Sequence, residues 1–289
     1  MIGEWIEQMK TSMSTIAAMA VLLCAGCFEN REAPHRPVTA RSLDEAIAKP
    51  SAVERVILAG QTLSAFPREL AGMPKLAVLE LRGTKGLGAL EGLSDLKGLK
   101  QLDLSATQTG AVPEPVFTLS GLERLYLSDN GIKELPAAIG NLAALSYLNL
   151  DVNQLAALPS ELGRVSGLRW LRLNSNKLTA LPPELAALSR LQRIYLRDNL
   201  LTAVPECLKT LPLLEDISLS GNKVTQIPPW MTQLPKLRQL DLDGCPVTKL
   251  PEDLSGWASL QVLSLVRCPI DDAEKARVRA ALPKVHVAF

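Results

Sequence analysis

The chain repeats itself every 23 residues, and that period constrains its fold more than any other feature. Read from Val53, Leu76, Leu99, Leu122, Leu145, Leu168, Leu191, Leu214, Leu237 and Leu260, ten blocks follow one template. It reads Leu-x-x-Leu-x-Leu-x-x-Asn-x-Leu-x-x-Leu-Pro-x-x-Leu-x-x-Leu-x-x. The cleanest copy runs Leu122, Leu125, Leu127, Asn130, Ile132, Leu135, Pro136, Ile139 and Leu142. One block of this size cannot bury its own apolar face, whereas stacked blocks bury one another's. The unbroken period therefore overrides the two-domain division that a chain of 289 residues would otherwise suggest.

Alternation in the first six positions predicts a short strand. Residues one, four and six point inward, and residues three, five and seven point out onto an open face. Parallel pairing of successive strands, about 4.8 Å apart, gives a sheet of roughly ten strands and nearly 50 Å. The ninth position holds Gln61, Thr84, Thr107, Asn130, Asn153, Asn176, Asn199, Asn222, Cys245 and Cys268. Side chains there are expected to satisfy turn backbone groups that would otherwise be buried unpaired. Cys245 and Cys268 fall within disulfide range in neighbouring blocks, but ladder side chains run parallel. They are expected to replace two asparagines as small buried thiols. The Leu-Pro step recurs at Pro67, Pro113, Pro136, Pro159, Pro182, Pro205, Pro228 and Pro251, where proline suits a helix start on the convex side. Gly83–Gly88 breaks the template, lacks the Lys-Ser/Thr pair of a phosphate loop, and reads as an irregular repeat.

This spacing resembles the leucine-rich repeat family in its 23-residue Leu-Pro form, similar to Ras-group and plant disease-resistance-like repeats, over residues 53 to about 282. The resemblance implies an α/β fold: a right-handed leucine-rich-repeat solenoid, or horseshoe, with a parallel concave sheet of about ten repeats. It also implies a monomeric protein-binding module without a cofactor.

The ends read differently. Residues Thr15–Gly26 form an apolar run of about a dozen residues, too short to span a bilayer as a relaxed helix, with Lys10 ahead of it. That is signal-peptide anatomy. Leu23-Cys24-Ala25-Gly26-Cys27 resembles a bacterial lipobox, which implies lipidation of Cys27 and a membrane anchor at the cell envelope, on the outer membrane in a Gram-negative cell. Cys24 departs from the usual aliphatic residue, and Glu4 and Glu7 point to initiation at Met9. The other reading is an apolar helix packed on the solenoid's end, and it leaves a cytoplasmic scaffold of Ras-group type as the alternative. Residues 1–27 are thus assigned to a signal peptide and 28–41 to a flexible linker. Residues 42–52 are assigned to a capping helix opened by the Ser42-x-x-Glu45 capping box, with Leu43, Ala46 and Ile47 over the first repeat. Residues 53–282 form the repeats, closed by a helix over Asp271–Ala281, and 283–289 a final cap strand.

A net charge of +1 and the lack of a basic run argue against nucleic acid as a partner. His35 and His286 are the only histidines and both lie outside the blocks. Imidazole-based metal binding or nucleophilic catalysis is therefore not expected in the repeats, and the chain does not read as an enzyme. Function is expected on the outward columns. All three tyrosines fall there, and Arg124, Tyr126, Tyr147, Trp170, Arg172, Arg193, Tyr195 and Arg197 cluster in four central blocks. Tyr, Trp and Arg dominate interface hot spots, and a leucine core needs none of them. The plainer reading is that aromatic residues simply favour strands. Asp216, Asp241 and Asp243 follow on the C-terminal side, making the face bipolar.

Overall fold

The computed structural model describes residues 36–289. The expected signal segment, the lipobox and Cys27 lie outside the described residues. Twelve parallel strands form one sheet in sequence order. They are β1 (Thr39–Ala40), β2 (Arg55–Ile57), β3 (Val78–Glu80), β4 (Gln101–Asp103), β5 (Arg124–Tyr126), β6 (Tyr147–Asn149), β7 (Trp170–Arg172), β8 (Arg193–Tyr195), β9 (Asp216–Ser218), β10 (Gln239–Asp241), β11 (Val262–Ser264) and β12 (His286–Ala288). From β2 to β11 each residue pairs with the one 23 positions on, as Leu125 with Leu148 and Leu148 with Leu171. Only the caps leave this register: Thr39 pairs with Arg55 and Val262 with His286.

The inward positions make one continuous leucine core. Leu122, Leu125, Leu127, Leu145, Leu148 and Leu150 are all fully buried. Behind them the chain returns through single 3-10 turns, not α-helix. Seven of these begin directly after the template proline, from Arg68–Gly72 after Pro67 to Pro229–Gln233 after Pro228. Five residues between a proline and an inward leucine leave no room for an α-helical repeat of hydrogen bonds. Pro251 opens no helix at all. In the irregular repeat, Gly92 in the left-handed region takes the place of the proline before Leu93–Asp95.

The ninth-position ladder forms as the template requires. Asn176 Nδ2 donates to the carbonyls of Leu150 and Leu173 at 2.9 and 3.1 Å, and its Oδ1 accepts from Leu155 N at 3.0 Å. Asn130, Asn153, Asn199 and Asn222 repeat the donor pair. Cys245 and Cys268 are free thiols and donate to Leu219 O and Leu242 O at 3.2 Å, so each reaches the same carbonyl an asparagine would. Burial pushes the Cys268 thiol up to about 11. Position eight, just before the ladder, adopts positive φ in all ten repeats, between 54° and 72°. Four of these residues are glycines; Val152 holds φ +57° with a branched side chain that is 53% exposed.

Both ends are closed. Thr39 and Ala40, assigned above to the linker, instead pair with β2 as an edge strand. Helix α1 (Leu43–Ala48) follows, with Ser42 Oγ accepting from Glu45 N at 3.2 Å. The Glu45 carboxylate reaches back to Arg41 N, one residue before the cap. Ala46 is fully buried and Leu43 packs on the core, but Ile47 is 45% exposed and stands outside it. At the far end α2 (Asp272–Ala281) is capped by Asp271, whose carboxylate accepts from Glu274 N at 2.8 Å. Glu274 is buried and joins this helix to the ninth repeat. It accepts from Leu250 N at 2.8 Å and from Arg277 at 2.7 Å, while Arg277 also donates to the carbonyls of Pro251 and Glu252.

Two outcomes test this packing. Leu148→Ala should cost about 2–5 kcal/mol through cavity formation, whereas Tyr147→Ala, one residue away on the open face, should cost far less. Equal losses in a denaturant titration would place the wrong residue in the core. For the C-terminal cap, the Arg277 hydrogen bonds hold the Glu274 carboxyl below its ordinary value, against the opposing effect of burial. A depressed folded pKa stabilises above the unfolded value of about 4.3 and loses that contribution as pH falls through the folded value. Urea titrations should therefore show a smaller acid-induced loss for Glu274→Gln than for wild type, from a lower starting stability.

Candidate binding surface

The outward columns bring most of the expected residues into one stacked row. Tyr126 of β5 lies against Tyr147 of β6, with ring centroids 4.9 Å apart and planes tilted by 35°. Tyr147 meets Trp170 of β7 at 5.7 Å and 57°. The Arg193 guanidinium of β8 sits 4.7 Å over the Trp170 ring, and its Nε is 3.0 Å from the Asp216 carboxylate of β9. The row thus crosses five strands. From Tyr147 to Asp216 each strand places template position three beside position three of the next, and Tyr126, at position five of β5, reaches Tyr147 on the diagonal. Trp170 is 38% exposed, while Tyr126 and Tyr147 are partly covered by their neighbours.

A second cluster braces the first. Arg172 Nε pairs with Asp151 at 2.7 Å, and its guanidinium lies 5.4 Å over the Tyr195 ring. Asp151 is buried and also accepts from Asn174 N at 2.8 Å, which fixes the pair's position. Burial pushes the phenols of Tyr126 and Tyr147 up, so both stay protonated at neutral pH.

Two expected members stand apart from the stack. Arg197 turns to its chain neighbour Asp198 at 3.2 Å. Arg124 points to the neutral Gln101 Oε1 at 3.4 Å. The acids meant to make the face bipolar are largely occupied within the sheet. Asp216 is buried against Arg193, and its carboxyl is raised by that burial while Arg193 pulls it down. Asp241 accepts from Ser218 Oγ at 2.8 Å and from Asp243 N; Asp243 accepts from Val266 N at 2.9 Å.

The stacked row borders an open depression of about 660 Å³. Its other wall is formed by Glu123, Ser146, Arg169 and Gln192, all at template position two. Positions three, five and seven alone do not include these residues. The signal is in the sequence: position two is polar in nine of the ten blocks, Ala77 being the exception, so it must meet solvent. Among the described residues no group of three or more metal-ligating side chains converges, and no helix is long and apolar enough to cross a membrane.

A leucine rich repeat model matches residues 87–155, 166–224 and 205–247. The chain belongs to the leucine-rich repeat family. Comparison with curated protein sequences gives no match. Among solved structures, the chain is similar to a leucine-rich repeat protein of Leptospira interrogans at 29% identity and TM-score 0.57, over 85% of this chain and 74% of that one. Internalin C2 from Listeria monocytogenes shares the fold at 23% identity and TM-score 0.61, over 68% and 83% of the two chains. So does the plant peptide hormone receptor RGFR1, solved in complex with RGF2, at 22% identity and TM-score 0.67; 88% of this chain covers 42% of that receptor. Leucine-rich repeat proteins generally act in protein–protein interaction, and the fold is typically a non-enzymatic binding scaffold.

Proposed function

We propose that the protein is a monomeric, non-enzymatic binding module displayed at the bacterial cell envelope, held there by lipid on Cys27, and that it engages a protein partner through the concave face of its sheet. The observation that carries the binding reading is the Tyr126–Tyr147–Trp170–Arg193 row. The leucine core closes without it, and an exposed aromatic row lowers solubility, so its use lies in contact with another molecule. Tyr, Trp and Arg are also the side chains whose truncation most weakens interfaces. The row is braced at Arg172–Asp151 and Arg193–Asp216, so little side-chain freedom remains to be lost on association. Support for the anchor comes from the short apolar run and the lipobox-like Ala25-Gly26-Cys27.

In cross-linking or co-purification with a partner, Trp170→Ala should weaken binding by about 2 kcal/mol or more with folding nearly intact. Glu161→Ala, on the convex 3-10 turn, should leave binding unchanged. Retained binding in the first variant together with loss in the second would place the functional face elsewhere. For the anchor, wild type should enter the detergent phase on phase partition, and Cys27→Ser should remain aqueous. Both proteins remaining aqueous would remove the anchor and favour a cytoplasmic scaffold.

A further inference from the structure

Across the open face several cations meet acids: Arg55 with Glu80, Lys100 with Glu123, Arg172 with Asp151, Arg193 with Asp216 and Arg197 with Asp198. Arg82 and Arg238 are exposed without such a partner, but neither lines the depression, which brings two such guanidiniums into one concavity. The depression's charged lining is Glu123, Arg124 and Arg169. Glu123 is held by Lys100 at 3.2 Å. Neither Arg124 nor Arg169 has a carboxylate partner among the described residues, and both are exposed. Two guanidiniums therefore face the depression unmatched.

Their placement is set by the register. Arg124 and Arg169 belong to blocks two repeats apart, with the Tyr147 block between them. Two strand spacings give about 10 Å between their backbones. Arg124 rests on the neutral Gln101 Oε1 at 3.4 Å; turned from that weak contact, it and Arg169 can both reach one group lying over Tyr147 and beside Trp170. A planar guanidinium matches a carboxylate in a two-point fork and is weakly hydrated, so it gives up water more readily than a lysine ammonium.

We infer that the depression receives an acidic segment of the partner protein, with an Asp or Glu carboxylate seated between Arg124 and Arg169 above the Tyr147–Trp170 pair. This rests on the reading of the open face as the binding surface. It adds the partner's chemistry: carboxylate-bearing, and flat or apolar next to the acid where the chain crosses Trp170. A basic segment would meet two unpaired cations and be repelled, so the same pair selects against it.

The test uses fluorescence anisotropy of labelled hexaglutamate, acetylated and amidated at its ends, with hexalysine and hexaglutamine as companions. Hexaglutamate should bind the full chain and weaken as salt rises from about 50 to about 300 mM. Arg124→Gln combined with Arg169→Gln should lower the affinity about tenfold or more, equivalent to about 1.4 kcal/mol. Arg164→Gln removes an exposed guanidinium from the convex side and should change nothing. Circular dichroism should show all variants folded. The inference is overturned if hexaglutamate does not bind, if the double variant binds it as well as wild type, or if hexalysine binds more tightly. A partner lost by Trp170→Ala yet kept by the double arginine variant would leave the binding face in place and remove only the acidic segment.

Discussion

Every turn of this chain must pass backbone carbonyls and amides through a dry leucine interior, and the ninth side chain is what makes that passage possible. An asparagine there donates to two carbonyls, one in its own turn and one in the preceding repeat, and accepts from an amide of the preceding repeat. Each such group left unpaired would cost about 1–3 kcal/mol. The bonds also link one repeat to the previous one, so the ladder sets the spacing of the stack as well as its solvation. Where Cys245 and Cys268 replace asparagine, the thiol keeps the bond to the earlier repeat. These two positions lie next to the C-terminal cap, where Glu274 and Arg277 bond the backbone from outside. The weaker ladder and the stronger cap thus meet at the same end.

The residue before the ladder follows from the same requirement. To aim position nine inward after an extended strand, position eight must enter the left-handed region, and it does so in every repeat. Glycine meets this at no steric cost in Gly60, Gly83, Gly221 and Gly244, and Asp129 and Asp198 tolerate it well. Val152 does not, since a branched side chain there is strained. The fold demands the conformation so uniformly that a poor residue is carried along with it.

Much of this was legible in the chain because two periods coincide, two within the strand and 23 between strands. Together they assign Leu148 inward and Tyr147 outward without ambiguity, and they place Tyr147 beside Trp170. The ladder was legible for a chemical reason: a polar side chain recurring inside an apolar template has to serve backbone groups. What was hidden depended on geometry that no period encodes. Proline marks where the chain turns, but five residues of return path decide 3-10 over α. Thr39 and Ala40 carry no signal of their own, and they become a strand because the edge of β2 is open. Ile47 looks like a core contact in helical register, yet α1 turns Ala46 into the core and leaves Ile47 largely exposed. Arg197 sits in the right column, but Asp198 beside it is nearer than any ring.

The stacked row shows how a stable scaffold supports a surface it does not need. The leucines settle the fold from inside, so the open-face columns are free to vary in residue type while their positions stay fixed by hydrogen-bonded neighbours. Rigid placement then lets side chains too far apart in sequence act together: Tyr126, Tyr147, Trp170 and Arg193 stand 21 to 23 residues apart and touch. The acids nearest the row, Asp151 and Asp216, are buried and consumed in holding Arg172 and Arg193. Pairing those arginines removes their charge from recognition and turns them into fixed walls. The guanidiniums that line the depression without a carboxylate partner, Arg124 at position three and Arg169 at position two, keep their charge, so position two contributes to the surface beside the aromatic column.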